Sequence, residues 1–384
     1  MRLGALPRLA LALVLATAAN VVAAAPAEAG APVPGPCQQG ALPHGALSLT
    51  CVPTSGWNGD LVVFAHGYVP STAPLGFYDL DIASGVYLPD LVQGLGFAFA
   101  TTSYRQNGIA ILEGLDDVRE LLVAFNAISP VPPARTFLVG GSEGGLITTL
   151  LLERSPLLFT GGIAACGPIG SFRGQIDYVG DFRVLFDVFF PGVLPGTPVD
   201  IPPELIANWD ATYVPRIQQA VADNPVAIVS LLRMTNAAID PGVPSSIAAT
   251  TVHLLWYSVF GTGDAVTKLG GNPYGNIGRT YSGSGNQILD AIVNARAFRV
   301  APAPAALTAM VAYETSGFLT RPLIAPHTTG DDIIPISHEV LYLRNLVPGA
   351  RFVLMPIERY GHCNFTPGEL MTAFVLLLLQ TSAP

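Results

Sequence analysis

Short apolar runs alternate with helix-forming segments along much of this 384-residue chain. Leu61–Ala65, Phe97–Ser103 and Phe137–Gly140 have the length and composition of buried strands, whereas residues 113–128 space their apolar side chains as a helix does. Strands that are joined by helices form a parallel sheet covered on both faces. The sequence therefore predicts an α/β fold with a mostly parallel sheet, and the chemistry of such a sheet gathers where its strands end.

A long interruption divides this pattern between about residues 168 and 320, after which the alternation resumes. Helical spacing occurs inside the interruption around residues 203–223, 226–234, 245–260 and 287–298. The stretch 261–285 is rich in Gly, Asn and Ser and is predicted to be loop. We therefore predict a large, mainly helical cap over residues 168–320, inserted between two core segments, 30–167 and 321–384.

The first 29 residues have the features of a signal peptide. Arg2 and Arg8 flank the start of an apolar run, Leu9–Ala25, and Ala27-Glu28-Ala29 offers the small residues that a signal peptidase reads. A membrane anchor is the alternative, but the run is short for a span and rich in Ala. We predict cleavage and a secreted or periplasmic protein, whose mature chain begins with a Pro-rich, irregular arm over Ala31–Pro43.

The charge of the chain argues against nucleic acid or an anionic membrane surface as a partner. The formal net charge is −9, Lys268 is the only lysine, and Lys and Arg form no cluster in the sequence. Both kinds of partner need a basic excess. Among the acidic residues, the pair Asp116–Asp117 is interpreted as the solvated start of a helix.

The four cysteines are an even number, which suits an oxidising compartment. Cys37 and Cys51 are close in sequence, and a bond between them would close a loop of about 15 residues, worth roughly 3 kcal/mol in the chain-entropy model. Cys166 and Cys363 are far apart in sequence. Four free, buried thiols are the alternative, and the spacing matches no zinc pattern.

The pentapeptide Gly140-Gly141-Ser142-Glu143-Gly144 matches the G-x-S-x-G pattern of a nucleophile elbow. Such a turn holds its serine in a strained conformation, and glycines stand where side chains two residues away would collide. The pattern alone also arises in Gly-rich loops. Here it follows Phe137-Leu138-Val139 and precedes Leu146–Leu152, and this strand–turn–helix context favours Ser142 as a nucleophile.

A serine nucleophile needs a base, and the base needs a carboxylate that orients it. Asp331 and His362 each follow a short apolar run with the character of a strand. Both are therefore expected at the same edge of the sheet as Ser142, in the chain order Ser, Asp, His. We predict that Ser142, Asp331 and His362 form a catalytic triad, with Asp332 as the alternative acid.

The oxyanion formed when a serine attacks a carbonyl needs hydrogen-bond donors. The elbow offers the backbone N–H of Glu143. The loop after the first buried strand, His66-Gly67-Tyr68, lets the backbone approach closely, and we predict the N–H of Tyr68 as the second donor. His66 is interpreted as packing this loop rather than acting as a base.

Together these residues resemble the α/β-hydrolase superfamily over about residues 57–167 and 320–380. His66-Gly67-Tyr68, the elbow, and Gly330-Asp331 followed by Gly361-His362 are similar to the family's oxyanion, nucleophile, acid and base stations. The resemblance implies the α/β-hydrolase fold, with helices on both faces of the sheet. It also implies acyl-enzyme chemistry that uses no metal and no organic cofactor.

The pair His362-Cys363 also resembles the tannase and feruloyl-esterase group, in which a cysteine before the serine bonds the cysteine after the histidine. Here the residue before Ser142 is Gly141. Cys166, at the end of the neighbouring predicted strand, is then the alternative partner of Cys363, and such a bond would brace the histidine loop.

Three functions remain open at this point. The first is a secreted carboxylic-ester hydrolase that acts on a small-molecule ester. The second is a secreted serine peptidase, aminopeptidase-like, in which Glu143 or Asp264 would hold a free amine. The third is a non-catalytic binding protein that retains the fold. Trp209, Trp256 and Tyr257 of the predicted cap either line a pocket or pack its helices.

Overall fold

The structure is a computed structural model that describes residues 31–82 and 85–382. The signal peptide predicted over residues 1–29 lies outside the described residues. No helix in the described ranges combines the length and the apolar character needed to cross a membrane.

A central sheet of eight strands organises the molecule. Its strands are β1 (Cys37–Ala41), β2 (Leu47–Cys51), β3 (Asp60–Ala65), β6 (Ala98–Thr102), β7 (Arg135–Gly141), β8 (Gly161–Ala165), β9 (Leu323–Gly330) and β10 (Phe352–Tyr360), while β4 (Asp81–Ile82) and β5 (Val86–Tyr87) pair separately. The order across the sheet is β1-β2-β6-β3-β7-β8-β9-β10. The run from β6 to β10 is parallel, and β1 and β2 are antiparallel at one edge. The predicted α/β fold with a mostly parallel sheet is confirmed.

The edge hairpin shows that the irregular arm predicted over Ala31–Pro43 was wrong in its second half. Residues 37–41 form a strand, and Cys37 lies directly opposite Cys51. The strand sequence Cys-Gln-Gln-Gly-Ala has no apolar alternation, so no local pattern predicts it. It forms because the open edge of β2 offers backbone partners, and the Cys37–Cys51 disulfide, with its Cα atoms 4.2 Å apart, ties the two strands together.

Helices cover the sheet and fill the long connection between β8 and β9. They are α1 (Leu88–Gly94), α2 (Ile111–Ile128), α3 (Glu143–Arg154), α4 (Phe172–Phe189), α5 (Pro203–Ala207), α6 (Val214–Asp223), α7 (Pro225–Thr235), α8 (Ser246–Lys268), α9 (Gln287–Arg296), α10 (Pro304–Met310), α11 (Ser337–Asn345) and α12 (Pro367–Ser382). A π-helical turn, Trp209–Tyr213, precedes α6, and a 3₁₀ turn, Val311–Tyr313, follows α10.

The strand β3 separates two apolar cores, because its successive side chains point to opposite faces of the sheet. Leu61 and Val63 pack into a core with α2 and α3. Val62 and Phe64 pack into a second core with α1 and α12. Helices therefore lie on both faces of the sheet, as the sequence predicts.

Helices α4 to α9 bury side chains such as Phe182 and Leu254 in a third core of their own. Two details differ from the sequence predictions. Helix α4 was not predicted, and α8 continues to Lys268 through residues predicted to be loop. The longer helix is favoured because Ala265 and Leu269 are buried against the core beneath α2 and α3, which offsets the poor helix propensity of the glycines in this stretch.

Candidate active site

Ser142 occupies a sharp turn between β7 and α3. Its backbone has φ +55° and ψ −122°, a conformation that is strained for a residue with a side chain. A Cβ on Gly140 would overlap the backbone of Gly144, and a Cβ on Gly144 would overlap the carbonyl of Ala65. The two glycines therefore permit a turn tight enough to present Ser142 at the end of β7.

Ser142, His362 and Asp331 form one hydrogen-bonded series at the carboxyl ends of β7, β10 and β9. Ser142 Oγ lies 2.9 Å from His362 Nε2, and His362 Nδ1 lies 2.8 Å from Asp331 Oδ2. The other oxygen, Asp331 Oδ1, accepts the backbone N–H groups of Ile333 and Ile334. With a carboxylate at Nδ1, a neutral imidazole carries its proton there and presents a lone pair to the serine.

The neighbouring carboxylate of Asp332 has different partners. Its Oδ2 lies 2.7 Å from Nδ1 of His253 and accepts the Tyr360 hydroxyl at 3.4 Å. The hydrogen bond to Asp332 is the main cause that raises the pKa of His253. Of the two adjacent acids, the structure thus brings Asp331 to His362.

A second buried imidazole lies behind Asp331, and sequence reasoning missed it. His327 Nε2 lies 2.8 Å from the Ile334 carbonyl and 3.4 Å from Asp331 Oδ2, while its Nδ1 lies 2.7 Å from Glu339 Oε1. Burial by itself lowers the pKa of His327, but its two carboxylate neighbours outweigh that effect and raise the pKa to about 10. The carboxylates of Asp331 and Glu339 therefore favour the cationic form of His327, although its Nδ1 and Glu339 Oε1 do not meet in hydrogen-bond geometry.

These neighbours keep Asp331 ionised. Burial by itself raises the pKa of Asp331, but the interactions with His362 and His327 are stronger and hold the pKa well below its usual range. An ionised acid is what a base needs if its imidazolium form is to be stabilised.

A disulfide tethers the histidine loop to the sheet. Cys363, directly after His362, is bonded to Cys166 beyond β8, with Cα atoms 5.5 Å apart. The Thr328 hydroxyl also donates to the Gly361 carbonyl at 2.6 Å. The loop that carries His362 is thereby attached to the ends of both β8 and β9.

Four features together identify the fold: a mostly parallel sheet, a strained serine after β7, an acid after β9 and a histidine after β10. The chain has the α/β-hydrolase fold. Its three polar residues follow the chain order Ser, Asp, His that this fold uses.

Two apolar cavities meet at Ser142 in this α/β-hydrolase fold. The larger, of about 530 Å³, follows the sheet between α1 and α12 and is lined by Tyr68, Ser142 and His362. The smaller, of about 110 Å³, lies against α4 and α8 and is lined by Tyr68, Ser142 and Glu143. Tyr257 lines both. Within residues 31–82 and 85–382, the backbone N–H groups of Tyr68 and Glu143 donate no hydrogen bond to a turn or loop carbonyl.

The side chain of Glu143 is buried beside the smaller cavity. Its Oε1 accepts the backbone N–H of Ala110 at 2.9 Å, and burial raises its pKa to about 8. Asp264 nearby accepts the backbone N–H of Ile109 and lies 3.4 Å from Lys268 Nζ. Both carboxylates are therefore engaged by groups of the chain itself.

The interpretation of Asp116–Asp117 as a solvated helix start was wrong for Asp117. This side chain is fully buried, accepts Arg105 Nε–H at 2.8 Å and accepts the Arg105 backbone N–H at 2.6 Å. The helix begins at Ile111, so Asp117 lies in its second turn and faces inward. Only the tertiary position of Arg105 makes this burial tolerable.

The remaining candidates from the sequence lie in packing positions or along the cavities. His66 is buried, stacks on Tyr104 with ring centroids 4.0 Å apart, and has its pKa lowered by burial. Trp209 is buried in the core of α4 to α9, and Trp256 stacks on Phe260 with ring centroids 4.8 Å apart.

One group of side chains in the described chain has the spacing of a metal site, namely Cys166, His362 and Cys363. The two cysteines are bonded to each other, so they offer no thiolate to a metal ion. This donor set does not fit a metal centre.

No protein-family model and no curated protein matches the sequence. Among solved structures, the chain is similar to an acylaminoacyl peptidase from Pyrococcus horikoshii, with 14% identity, a TM-score of 0.43 and coverage of 87% of this chain and 38% of that one. It therefore spans about two fifths of that peptidase. It is also similar to feruloyl esterase B from Aspergillus oryzae (14% identity, TM-score 0.46, 83% and 71% covered) and to an esterase from Pyrococcus furiosus (12%, 0.46, 90% and 90%). At these identities the likeness concerns the fold alone.

Proposed function

We propose that the protein is a secreted serine hydrolase that cleaves carboxylic esters of small molecules through an acyl-enzyme intermediate. The observation that carries the proposal is the geometry of Ser142, His362 and Asp331, joined by contacts of 2.9 and 2.8 Å. Nucleophile and base within hydrogen-bond reach, and a third group that orients the base, form the arrangement that activates a serine.

In this proposal His362 accepts the proton of Ser142 Oγ as the oxygen attacks the ester carbonyl. Asp331 holds the imidazole in the required tautomer and stabilises its cationic form. The backbone N–H groups of Tyr68 and Glu143 bind the oxyanion. Two observations support this role: both residues line the smaller cavity, and among the described residues neither N–H donates to a turn or loop carbonyl. His362 then donates the proton to the departing alcohol, and water clears the acyl group by the same steps.

Two observations favour esters over peptides. The two carboxylates that the sequence offers for holding the free amine of a peptidase substrate, Glu143 and Asp264, are both engaged by backbone N–H groups, and Asp79 of the larger cavity likewise accepts the backbone N–H of Gly67 at 2.9 Å. The raised pKa of Glu143 also keeps much of its population neutral near pH 7. Ester cleavage also requires less proton donation to the leaving group than amide cleavage does, because an alcohol oxygen leaves more readily than an amine nitrogen.

We extend the proposal to export from the cytoplasm, with a small-molecule ester as the partner. The leader-like residues 1–29, together with the disulfides Cys37–Cys51 and Cys166–Cys363, support an oxidising destination. The net charge of −9 argues against nucleic acid and against a stable contact with an anionic membrane.

The test combines active-site labelling with a choice of substrates. A fluorophosphonate probe should label the purified protein and the control Ser245→Ala, whose serine is exposed, but not Ser142→Ala. Ser142→Ala should lower kcat for p-nitrophenyl butyrate on the order of 10⁵- to 10⁶-fold. Absence of labelling would favour a binding protein, and faster cleavage of aminoacyl p-nitroanilides than of p-nitrophenyl esters would favour a peptidase.

A further inference from the structure

The two cavities that meet at Ser142 differ in whether His362 lines them. Ser142 and Tyr68 line both cavities. His362 lines the larger cavity, whereas Glu143 lines the smaller one. Because the base His362 borders one space and the proposed oxyanion donor Glu143 borders the other, the cavities are not equivalent for a bound ester.

The chemistry of ester cleavage assigns one half of the substrate to each space. As Ser142 Oγ forms a bond to the carbonyl carbon, its proton passes to His362 Nε2. As the carbon–oxygen bond to the alcohol breaks, the same proton passes to the alcohol oxygen. That oxygen must therefore lie beside His362, and the alcohol extends into the cavity that His362 lines. The acyl substituent on the same carbon points away from the base, toward the cavity against α4 and α8.

The sizes of the two cavities then set the sizes of the two halves. A volume of about 530 Å³ lies within the range of pockets that enclose whole small molecules, whereas about 110 Å³ lies far below that range. The larger cavity is also long. Its lining runs from Val62, near the start of β3, to Gly67, just beyond the end of the strand, a rise of roughly 15 Å of extended chain.

The walls of the larger cavity specify the chemical character of the alcohol. Leu91 of α1 and Met371 and Phe374 of α12 form its apolar sides. Asp79 and Asp81 also line it, and within the part of the chain that the structure describes no Lys or Arg does. An apolar group is therefore favoured along these sides, and an anionic group is opposed by the two carboxyl groups.

We propose that the substrate is an ester of a short-chain acid with a long, apolar alcohol that carries no negative charge. The alcohol occupies the cavity between α1 and α12, and the acyl group occupies the cavity against α4 and α8. This inference rests on the proposed esterase function and names the substrate class of that same site.

The decisive experiment compares two isomers that have the same formula but opposite arrangement, dodecyl butyrate and butyl dodecanoate. Both are presented to the purified, unreduced full chain in the same mixed micelles, and kcat/KM is measured from released acid. We expect dodecyl butyrate to be the better substrate by at least about 10-fold, the discrimination that a few methylenes produce in a fitted pocket. Equal rates, or a preference for butyl dodecanoate, would overturn the assignment of the two cavities.

Two substitutions test the cavities separately. Met371→Trp narrows the larger cavity and should lower kcat/KM for dodecyl butyrate at least about 10-fold more than for ethyl butyrate. Leu379→Trp on the same helix α12 is the matched control, since that side chain is 64% exposed and lines neither cavity. Val179→Trp of α4 narrows the smaller cavity and should penalise dodecyl butyrate more than dodecyl acetate.

The failure of this inference is distinguishable from failure of the proposed function. If p-nitrophenyl butyrate is hydrolysed and the fluorophosphonate probe labels Ser142, but butyl dodecanoate is preferred, the esterase assignment stands and the substrate class is refuted. If neither isomer nor p-nitrophenyl butyrate is hydrolysed and no labelling occurs, both are refuted together.

Discussion

The two disulfides allow one prediction to separate stability from activity. We compare Cys166→Ala/Cys363→Ala with the matched control Cys37→Ala/Cys51→Ala. The first pair closes a loop with a sequence separation of 197 residues and the second closes one of 14 residues. In the chain-entropy model their loss costs roughly 5 and roughly 3 kcal/mol of unfolding free energy.

These free energies translate into modest shifts of the melting temperature. About 350 residues are described in the structure. At the usual entropy of unfolding per residue, the two double variants should melt roughly 7 °C and roughly 4 °C below the wild type. Calorimetry without reductant measures both shifts.

Activity should separate the variants far more sharply than stability does. The Cys166–Cys363 disulfide anchors the loop that carries His362. The Sγ atom of Cys363 lies 3.6 Å from His362 Nε2. Without the tether, the Thr328–Gly361 hydrogen bond still holds part of the loop, so a misplacement of up to an ångström is expected, which can cost on the order of 10²-fold in rate.

The assay is kcat/KM for p-nitrophenyl butyrate at a temperature where both variants are folded. The Cys166→Ala/Cys363→Ala variant should lose about 10- to 100-fold, whereas the Cys37→Ala/Cys51→Ala control should stay within about twofold of wild type. If the two variants lose activity equally, or if the first keeps full activity while its stability falls, the tether does not position His362 and the reasoning fails.

Three further predictions follow from the polar groups around the site. Asp331→Asn should lower kcat on the order of 10⁴-fold. Asp332→Asn should lower kcat far less, because Asp332 forms hydrogen bonds with His253 and Tyr360 rather than with His362. Equal losses of kcat in steady-state assays would contradict the assignment of Asp331 as the acid. Burial raises the pKa of Glu143 from 4.5 in the unfolded chain to about 8 in the folded protein. The contribution of the protonated side chain to the unfolding free energy is therefore complete below pH 4.5 and is lost as the pH rises through 8, because ionisation then favours the unfolded chain. Glu143→Gln should therefore become more stable than wild type as the pH rises between these values, by up to about 5 kcal/mol at pH 8. Urea unfolding measures this difference, and an equal difference between the midpoints of the two proteins at pH 5 and at pH 8 would refute the prediction. Asp117→Ala should lower the unfolding free energy by about 1–3 kcal/mol, because it removes the acceptor of the Arg105 guanidinium and backbone N–H and leaves only the 3.7 Å contact of Arg105 with Glu120. The same measurement should show little change for the exposed Asp116→Ala.

Much of the fold and the candidate nucleophile could be predicted from the sequence because their causes are local. The collision that excludes a side chain at position 140 arises within the turn itself, so this part of the pattern around Ser142 carries its own explanation, whereas the collision at position 144 arises against Ala65 at the end of the neighbouring strand β3. The alternation of strand and helix periodicity likewise follows from which face of each segment is buried. Together they predict that Asp331 and His362 fall at the same sheet edge as Ser142.

Other features arise only when distant segments meet. The choice between Asp331 and Asp332 depends on which of two adjacent carboxylates faces His362 within hydrogen-bond distance, and no spacing rule distinguishes neighbours in sequence. The burial of Asp117 depends on Arg105, and the protonated His327 depends on Glu339 of a separate helix.

The edge strand β1 and the two cavities also belong to the tertiary structure. Residues 37–41 form a strand because β2 leaves its backbone groups open, not because their own pattern favours one. The unequal cavities exist because α1 and α12 stay apart on one side of Ser142, whereas α4 and α8 close in on the other. Local sterics thus determined where the reactive serine stands, while long-range packing decided which groups surround it and how much space a substrate finds there.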